Sequence, residues 1–226
     1  MKRILTLMVM VALWMGTPAR AEMPKGAYLE GKNSGTAVIL AHGRALWPDS
    51  QVVGPLRRSI NKELGFHTLS LQMPVLSSSN YLDYAGTFPD AFRVIEAAID
   101  YLTSQKGVKR IYLMGYSMGA RMTTAFLVER STPVIVGYIG VGLLEGGGKP
   151  LDANQNLLSI RLPVIDIFAD GTSLDLKSAE NRRSLVSDTF KQVRISGADH
   201  SFQGNDHRIA QAVIGWLKER EGITQR

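Results

Sequence analysis

The chain has 226 residues, 45% of them hydrophobic and 8% aromatic, and a formal net charge of +6. These values exclude a disordered chain and fit a single domain with a sizeable core. The chain has no cysteine, which excludes disulfides, zinc–thiolate sites and iron–sulfur clusters, and its four histidines form no metal-ligand spacing. We therefore expect neither a metal nor another cofactor.

The first 21 residues have the pattern of a secretory signal peptide. Lys2 and Arg3 precede an apolar run at residues 4–15, and residues 19–21 form an A-x-A cleavage site. The run is short for a membrane span, which needs about 20 residues. We expect cleavage after Ala21 and a periplasmic or secreted mature chain without an integral membrane span. The alternative is an uncleaved N-terminal anchor.

Removal of the leader lowers the positive charge, since residues 1–21 carry three basic residues and no acidic one. The mature chain, residues 22–226, then has 23 basic and 20 acidic residues, a net charge of +3. Its basic residues are scattered, and the pairs Arg57-Arg58 and Arg182-Arg183 lie in helical patterns predicted to face solvent. Without a basic stripe carrying interleaved aromatics, we expect no nucleic-acid partner.

Strands and helices are predicted to alternate along the mature chain, which we expect to form one domain. Residues 28–30 hint at a first strand. Apolar runs predict strands at residues 36–42, 67–73, 109–114, 134–144, 163–168 and 192–195. Helical spacing predicts helices at residues 49–64, 89–102, 117–129, 178–190 and 207–219. This order implies an α/β fold: a mostly parallel sheet with helices on both faces and ligands beyond the carboxyl ends of the strands.

The strand predicted at residues 109–114 ends in a G-x-S-x-G motif, residues 115–119. Between a strand and a helix, this motif places a serine nucleophile on a tight turn. Gly115 and Gly119 leave out side chains where the two backbones would collide. We interpret Ser117 as a nucleophile, the alternative being a glycine-rich turn with an incidental serine.

A serine nucleophile needs an adjacent base, and His200 is the best-placed histidine. It follows the last predicted strand and precedes the last predicted helix. We interpret His207 as a surface or capping residue, His67 as a structural residue and His42 as part of a loop with another role.

The turn at residues 42–45, which contains His42 and Gly43, suggests a role for this loop in binding an oxyanion. Such a turn brings backbone N–H groups towards Ser117, and an oxyanion hole needs two donors. We predict the N–H groups of Met118 and Arg44, with Ala45 as the alternative to Arg44. The other interpretation is a plain strand-to-helix turn.

A carboxylate must orient the histidine and stabilise its imidazolium. Asp170 lies nearest the end of the strand predicted at 163–168, and Gly171 supplies a turn. Asp175 lies further along the same loop, and Asp166 lies inside the strand, where it should point away from the site. We favour Asp170 and keep Asp175 as the alternative acid.

The motifs in the order Ser117, Asp170, His200 resemble the α/β-hydrolase superfamily, in particular its small serine esterases and dienelactone-hydrolase-like proteins. The resemblance covers most of residues 28–220 and implies a serine hydrolase with a minimal fold. The sequence departs from the pattern in two ways. The sheet is trimmed at its N-terminal edge, and the position where the superfamily usually has its acid holds Thr172. The choice between Asp170 and Asp175 therefore stays open.

The segment between the fourth and fifth predicted strands, residues 145–162, is too short for a substantial cap domain. We therefore expect an open site and, as substrate, a small-molecule carboxylic ester with a short-chain or aryl group. Tyr81, Tyr84 and Phe202 are predicted to line its pocket, the alternative for the two tyrosines being that they only anchor a long loop. The alternatives are a non-catalytic binding or scaffold protein, or an acyltransferase or peptidase that uses the same serine. The oligomeric state is not predicted.

Overall fold

A seven-stranded sheet organises residues 21–32, 35–130 and 132–223, the residues that the computed structural model describes. The strands are β1 (Gly26–Leu29), β2 (Thr36–Ala41), β3 (His67–Leu71), β4 (Arg110–Tyr116), β5 (Ile135–Val141), β6 (Val164–Ala169) and β7 (Phe190–Ile195). The α-helices are α1 (Val53–Leu64), α2 (Phe88–Lys106), α3 (Met118–Glu129), α4 (Ala153–Leu157), α5 (Ser173–Asn181) and α6 (Asp206–Arg220). Two 3₁₀ segments span Tyr81–Thr87 and Arg183–Leu185. The signal peptide is predicted at residues 1–21, and its residues 1–20 lie outside the described residues.

The strand order is β1-β3-β2-β4-β5-β6-β7. β1 pairs with β3 in the antiparallel direction, and the other neighbouring strands are parallel. The predicted fold class, a mostly parallel sheet with helices on both faces, is confirmed. The strand hinted at by residues 28–30 is the antiparallel edge strand β1.

Both faces of the sheet are buried, and β2 shows why its sequence is continuously apolar. Its residues Ala37, Ile39 and Ala41 pack in the layer that contains α2 and α3. The alternating residues Val38 and Leu40 pack in the layer that contains α1 and α6. Since successive side chains of a strand point to opposite faces, a strand between two helical layers needs apolar residues at every position.

The strand register places several loops at one edge of the sheet. Ala41, the last residue of β2, pairs with Gly115 of β4, and Ala169 pairs with Ile195 at the ends of β6 and β7. Because these strands are parallel, the segments that follow them leave the sheet on the same side. Residues far apart in the sequence therefore meet at this edge.

Two helices begin at other positions than the sequence pattern predicts. α1 begins at Val53 rather than at residue 49, because a tight turn with Val52 in the left-handed region precedes it (φ 65°). The helix predicted at 178–190 is instead α5, which begins at Ser173 and is capped by Thr172. Because α5 begins earlier than predicted, Asp175 and its neighbours lie in the first turn of a helix rather than in a loop.

The prediction that the arginine pairs face solvent is wrong for one member of each pair. Arg182 is 2% exposed, and its Nε and Nη2 donate to the two carboxylate oxygens of Asp166 at 2.7 and 2.8 Å. Arg57 is also buried and donates to Asp49 at 2.8 Å. A helical pattern marks the side on which a residue lies, but it does not show that a carboxylate from a distant element pairs with Arg182 and allows its burial.

We predict that replacing Arg182 with methionine destabilises the protein, because the Asp166 carboxylate would stay buried without its cation. The free energy of unfolding should fall by about 3–5 kcal/mol, measured by urea denaturation. The matched control is Arg183→Met at the exposed neighbouring position, which should change it by less than about 0.5 kcal/mol. An R182M protein as stable as the wild type would contradict the structural role of this ion pair.

Candidate active site

Ser117 occupies the tight turn between β4 and α3. Its backbone lies in the left-handed region, with φ 53° and ψ −114°, which costs a non-glycine residue roughly 1–3 kcal/mol. The turn is held on the strand side by the Ser117 N–H, which donates to the Val141 carbonyl at 3.0 Å. On the helix side, the N–H groups of Ala120 and Arg121 donate to the Ser117 carbonyl. The side chain is partly exposed at the sheet edge.

The two glycines of the motif allow α3 to approach the sheet closely. A Cβ at Gly115 would lie 2.4 Å from the Cα of Ala120, and one at Gly119 would lie 2.3 Å from the carbonyl oxygen of Ala41. Both distances are far shorter than a van der Waals contact. Any larger residue at either position would push the helix away from β2 and β4, so the close approach predicted from the sequence is present.

A chain of two hydrogen bonds joins Ser117 to an imidazole and a carboxylate. Ser117 Oγ lies 2.8 Å from His200 Nε2, and His200 Nδ1 lies 2.7 Å from Asp175 Oδ1. A carboxylate only accepts, so Nδ1 carries the proton of the neutral imidazole and Nε2 accepts from the serine hydroxyl. The three side chains come from the segments after β4, β7 and β6.

Tyr116 holds His200 in place. Its ring stacks on the imidazole with 6.0 Å between ring centroids, and its hydroxyl donates to the His200 carbonyl at 3.0 Å. Burial raises the pKa of Tyr116 to about 12, so the phenol stays a donor near neutral pH. Tyr116 therefore packs against His200 and also binds its backbone.

The preference for Asp170 as the partner of His200 does not agree with the structure. Asp170 Oδ1 accepts from the backbone N–H of Gly197 at 2.6 Å, and Oδ2 lies 3.6 Å from Nε of Arg194. Asp170 therefore ties the end of β6 to the turn after β7. Asp175, the alternative, is the residue that reaches His200, because α5 begins at Ser173 and turns its first residues back over the sheet edge.

Thr172 was not singled out as a site residue, although it determines where α5 begins. It is the N-cap of α5, and its Oγ1 accepts from the N–H of Asp175 at 3.3 Å. A threonine followed three residues later by an acid is a common helix start. This pattern in the sequence was the signal for a carboxylate in the first turn of a helix rather than in a loop.

The residues predicted to supply the oxyanion donors, Met118 and Arg44, border the cavity at Ser117. Met118 is the first residue of α3, so its N–H has no acceptor within the helix. A Cβ at Gly43 would lie 3.2 Å from the Cβ of Ser117, which brings the backbone after β2 against the serine. Met118 and Arg44 line the same cavity as Ser117, and Ala45, the alternative donor, has a left-handed backbone (φ 56°).

Ser117 and His200 open onto a cavity of about 470 Å³. Leu144 and Leu174 form apolar parts of its wall, and Tyr81 contributes an aromatic ring. Tyr81 was predicted to line the pocket, and the structure places it there.

Arg121 also lines this cavity and was not identified from the sequence. Its guanidinium donates to the carbonyls of Gly146 at 2.7 Å and Glu145 at 3.0 Å, and Tyr81 covers it with 4.9 Å between Cζ and the ring centroid. Burial lowers the pKa of Arg121 from its ordinary value. Arg121 lies four residues after Ser117, on the same face of α3, a spacing that could have located it.

Two residues predicted to line the pocket are instead packing residues. Tyr84 is fully buried, and its hydroxyl accepts from the N–H of Leu76 at 3.1 Å and faces the Leu76 carbonyl at 3.3 Å. Phe202 is also fully buried and packs edge-on against Tyr116, with 6.3 Å between ring centroids. Both aromatic rings are apolar enough to be buried in the core. Their predicted positions in loops did not indicate this burial.

The other three histidines are placed by contacts with other parts of the protein or lie at its surface. Nδ1 of His42 contacts the Gly43 carbonyl at 2.8 Å, and Nε2 accepts from the N–H of Met73 at 3.1 Å. His67 lies 2.7 Å from the hydroxyl of Tyr28, and His207 is exposed in the first turn of α6. Within the described residues, no cluster of three or more histidine, aspartate or glutamate side chains is arranged to hold a metal ion.

Solved structures provide the comparisons, since no protein-family model and no curated protein sequence matches the chain. Est1E from Butyrivibrio proteoclasticus with bound ferulic acid aligns at 19% identity over 87% of this chain and 94% of that chain, with a TM-score of 0.65. A dienelactone hydrolase from Anabaena variabilis aligns at 19% identity over 85% and 89% (TM-score 0.63). A Pyrococcus furiosus esterase aligns at 18% identity over 82% of each chain (TM-score 0.60). The chain has the α/β-hydrolase fold, in a form without a substantial cap.

We predict a pH dependence of stability that arises from His42. Burial lowers the pKa of His42 below its ordinary value of 6.5. Above about pH 6.5 the folded and unfolded chains both hold it neutral, and it contributes nothing. As the pH falls below that value, the unfolded chain takes up a proton first, so stability decreases by at most about 1.4 kcal/mol per pH unit.

The measurement compares urea denaturation of the wild type and His42→Gln between pH 7.5 and pH 5. Glutamine has an amide oxygen that can accept from Met73 and does not titrate, so the stability difference between the two proteins should shrink as the pH falls. A difference that stays constant across this range would show that His42 titrates alike in both states.

Proposed function

We propose that the protein is a serine hydrolase that cleaves carboxylic esters through an acyl-enzyme on Ser117. The observation that carries the proposal is the hydrogen-bond chain from Asp175 through His200 to Ser117, with distances of 2.7 and 2.8 Å. These are the nucleophile, base and orienting acid that acyl transfer requires. The similarity to solved esterases and to a dienelactone hydrolase supports a hydrolase.

In the first step, Ser117 Oγ bonds to the ester carbonyl carbon and its proton passes to His200 Nε2. The carbonyl electron pair moves onto the oxygen, and the N–H groups of Met118 and Arg44, with Ala45 as the alternative to Arg44, bind that oxyanion. The carbon–oxygen bond to the alcohol then breaks, and the alcohol takes the proton from Nε2. In the second step, water bonds to the acyl carbonyl carbon and gives a proton to Nε2. The bond between that carbon and Ser117 Oγ then breaks, Oγ takes the proton back from Nε2, and the carboxylic acid leaves.

The wall of the cavity favours a short-chain or aryl ester. Leu144 and Leu174 are apolar, and the ring of Tyr81 offers a flat surface for a planar group. The connection between β5 and β6 holds α4, of five residues, so the site is open rather than enclosed under a cap. Est1E, of the same fold, binds ferulic acid, an aromatic acid, which supports the aryl alternative.

We predict that Ser117→Ala lowers kcat/KM for p-nitrophenyl acetate by at least roughly 10⁴-fold and abolishes labelling by a fluorophosphonate probe, because no nucleophile remains. Ser104→Ala, which changes an exposed serine of α2, is the control and should keep both activities. Wild-type turnover in S117A would contradict the proposal. A wild type that neither reacts with the probe nor hydrolyses any ester would instead indicate a binding or scaffold protein.

The same assay tests which aspartate, Asp170 or Asp175, acts as the partner of His200 in the reaction. Asp175→Asn should lower kcat by about 10³–10⁴-fold, because the amide cannot hold the imidazole in the required tautomer. Asp170→Asn is the same isosteric change five residues earlier, between β6 and α5, and it should retain activity within a few fold. The opposite result would assign the acid to Asp170. Product analysis with added alcohols, amines or peptides distinguishes an esterase from an acyltransferase or a peptidase.

We further propose that the chain is exported to the periplasm or secreted, with cleavage after Ala21. The support is the basic start, the apolar run at residues 4–15 and the A-x-A site in the sequence. Among the described residues, no helix is long and apolar enough to cross a membrane. Intact-mass measurement on protein from the native host should give a chain that begins at Glu22, and one that begins at Met1 would contradict this.

A further inference from the structure

Thr172 makes two hydrogen bonds to one residue. Its Oγ1 accepts from the backbone N–H of Asp175 at 3.3 Å, and its hydroxyl donates to Asp175 Oδ2. The first bond caps α5, as the N-cap residue of a helix commonly does. The second is an additional contact, because an N-cap needs only an acceptor.

The second bond gives the Asp175 carboxylate a hydrogen-bond donor at its other oxygen. Oδ1 lies 2.7 Å from His200 Nδ1, and Oδ2 accepts from Thr172, so each oxygen has its own donor. The Asp175 side chain is 2% exposed. Water therefore has little access to Oδ2, and the threonine hydroxyl takes the place that a solvent donor would have at an exposed carboxylate.

We propose that Thr172 is a positioning residue for the hydrolytic reaction, and that it acts through Asp175. This inference rests on the proposed function. By holding Oδ2, the hydroxyl fixes the rotation of the carboxylate so that Oδ1 faces the imidazole. By donating a proton to the anion, it also withdraws charge from the oxygens and moderates their attraction for the protonated imidazole.

Capping alone would allow several residue types at this position. Asp152 and Asn80 cap α4 and the 3₁₀ segment Tyr81–Thr87 through side-chain oxygens that accept. At position 172, a residue must accept from an N–H and donate to a carboxylate oxygen with the same atom. A hydroxyl does both, so serine should replace threonine there, whereas valine and glycine should not.

The experiment measures kcat, KM and the pH profile of kcat/KM for p-nitrophenyl acetate in three variants. Thr172→Val keeps the shape and removes the hydroxyl, and Thr172→Gly removes it with a residue that N-cap positions tolerate well. Thr172→Ser keeps the hydroxyl. The control is Thr103→Val, which removes a hydroxyl that bonds to the Ile99 carbonyl within α2.

In T172V and T172G, kcat should fall roughly tenfold with KM unchanged, which corresponds to one charge-assisted hydrogen bond. The acidic limb of the pH profile should move to higher pH by about half a unit, because the carboxylate then holds the protonated imidazole more strongly. T172S should restore both values to within about twofold of the wild type. T103V should leave both unchanged.

Three results would overturn the inference: an acidic limb that stays at the wild-type pH in both hydroxyl-free variants, a failure of T172S to restore it, or the same shift in T103V. Urea denaturation of each variant distinguishes a loss of folded protein from a change at the site. A loss of folded protein lowers kcat without moving the acidic limb of the pH profile. If S117A retains wild-type activity, the proposed function fails, whereas failure of T172V alone leaves that function intact.

Discussion

The turn at Ser117 constrains the rest of the site. A non-glycine residue at φ 53° is unfavourable, and it persists here because α3 packs against β2 and β4 at a distance that only Gly115 and Gly119 permit. This packing raises the serine hydroxyl above the sheet edge and aims the free N–H groups at the start of α3 towards the same space. The imidazole of His200 and the carboxylate of Asp175 must therefore be placed relative to the Ser117 hydroxyl, whose position the turn determines.

The carboxylate reaches that point through a helix rather than through a loop. The hydrogen bonds of Thr172 set the start of α5, and the buried pair of Arg182 with Asp166 attaches the segment after α5 to the middle of β6. Asp175 lies in the first turn of α5, where Oδ1 is 2.7 Å from His200 Nδ1. The ion pair is thus part of the support of the site, although it lies outside the cavity.

The cavity wall shows how polar groups can line an apolar site. Arg121 is buried beside Ser117, but its donors are taken by backbone carbonyls of the loop after β5, and Tyr81 covers its face. Such an arginine holds the loop in place and presents the ring of Tyr81 to the cavity. The space left to a substrate is therefore bounded by Tyr81, Leu144 and Leu174, and the short connection to β6 leaves it open.

The amino-acid sequence was enough to predict the alternating strands and helices, the turn that carries Ser117, and the position of His200 after the last strand, because apolar periodicity and glycine spacing are local properties. It did not determine the residue that contacts His200, since Asp170 and Asp175 are equivalent in a loop and differ only once α5 begins at Ser173. Burial of Tyr84, Phe202 and Arg182 was likewise decided by tertiary structure. A local pattern indicates which residues can be buried, whereas the partners that bury them come from elements distant in the chain.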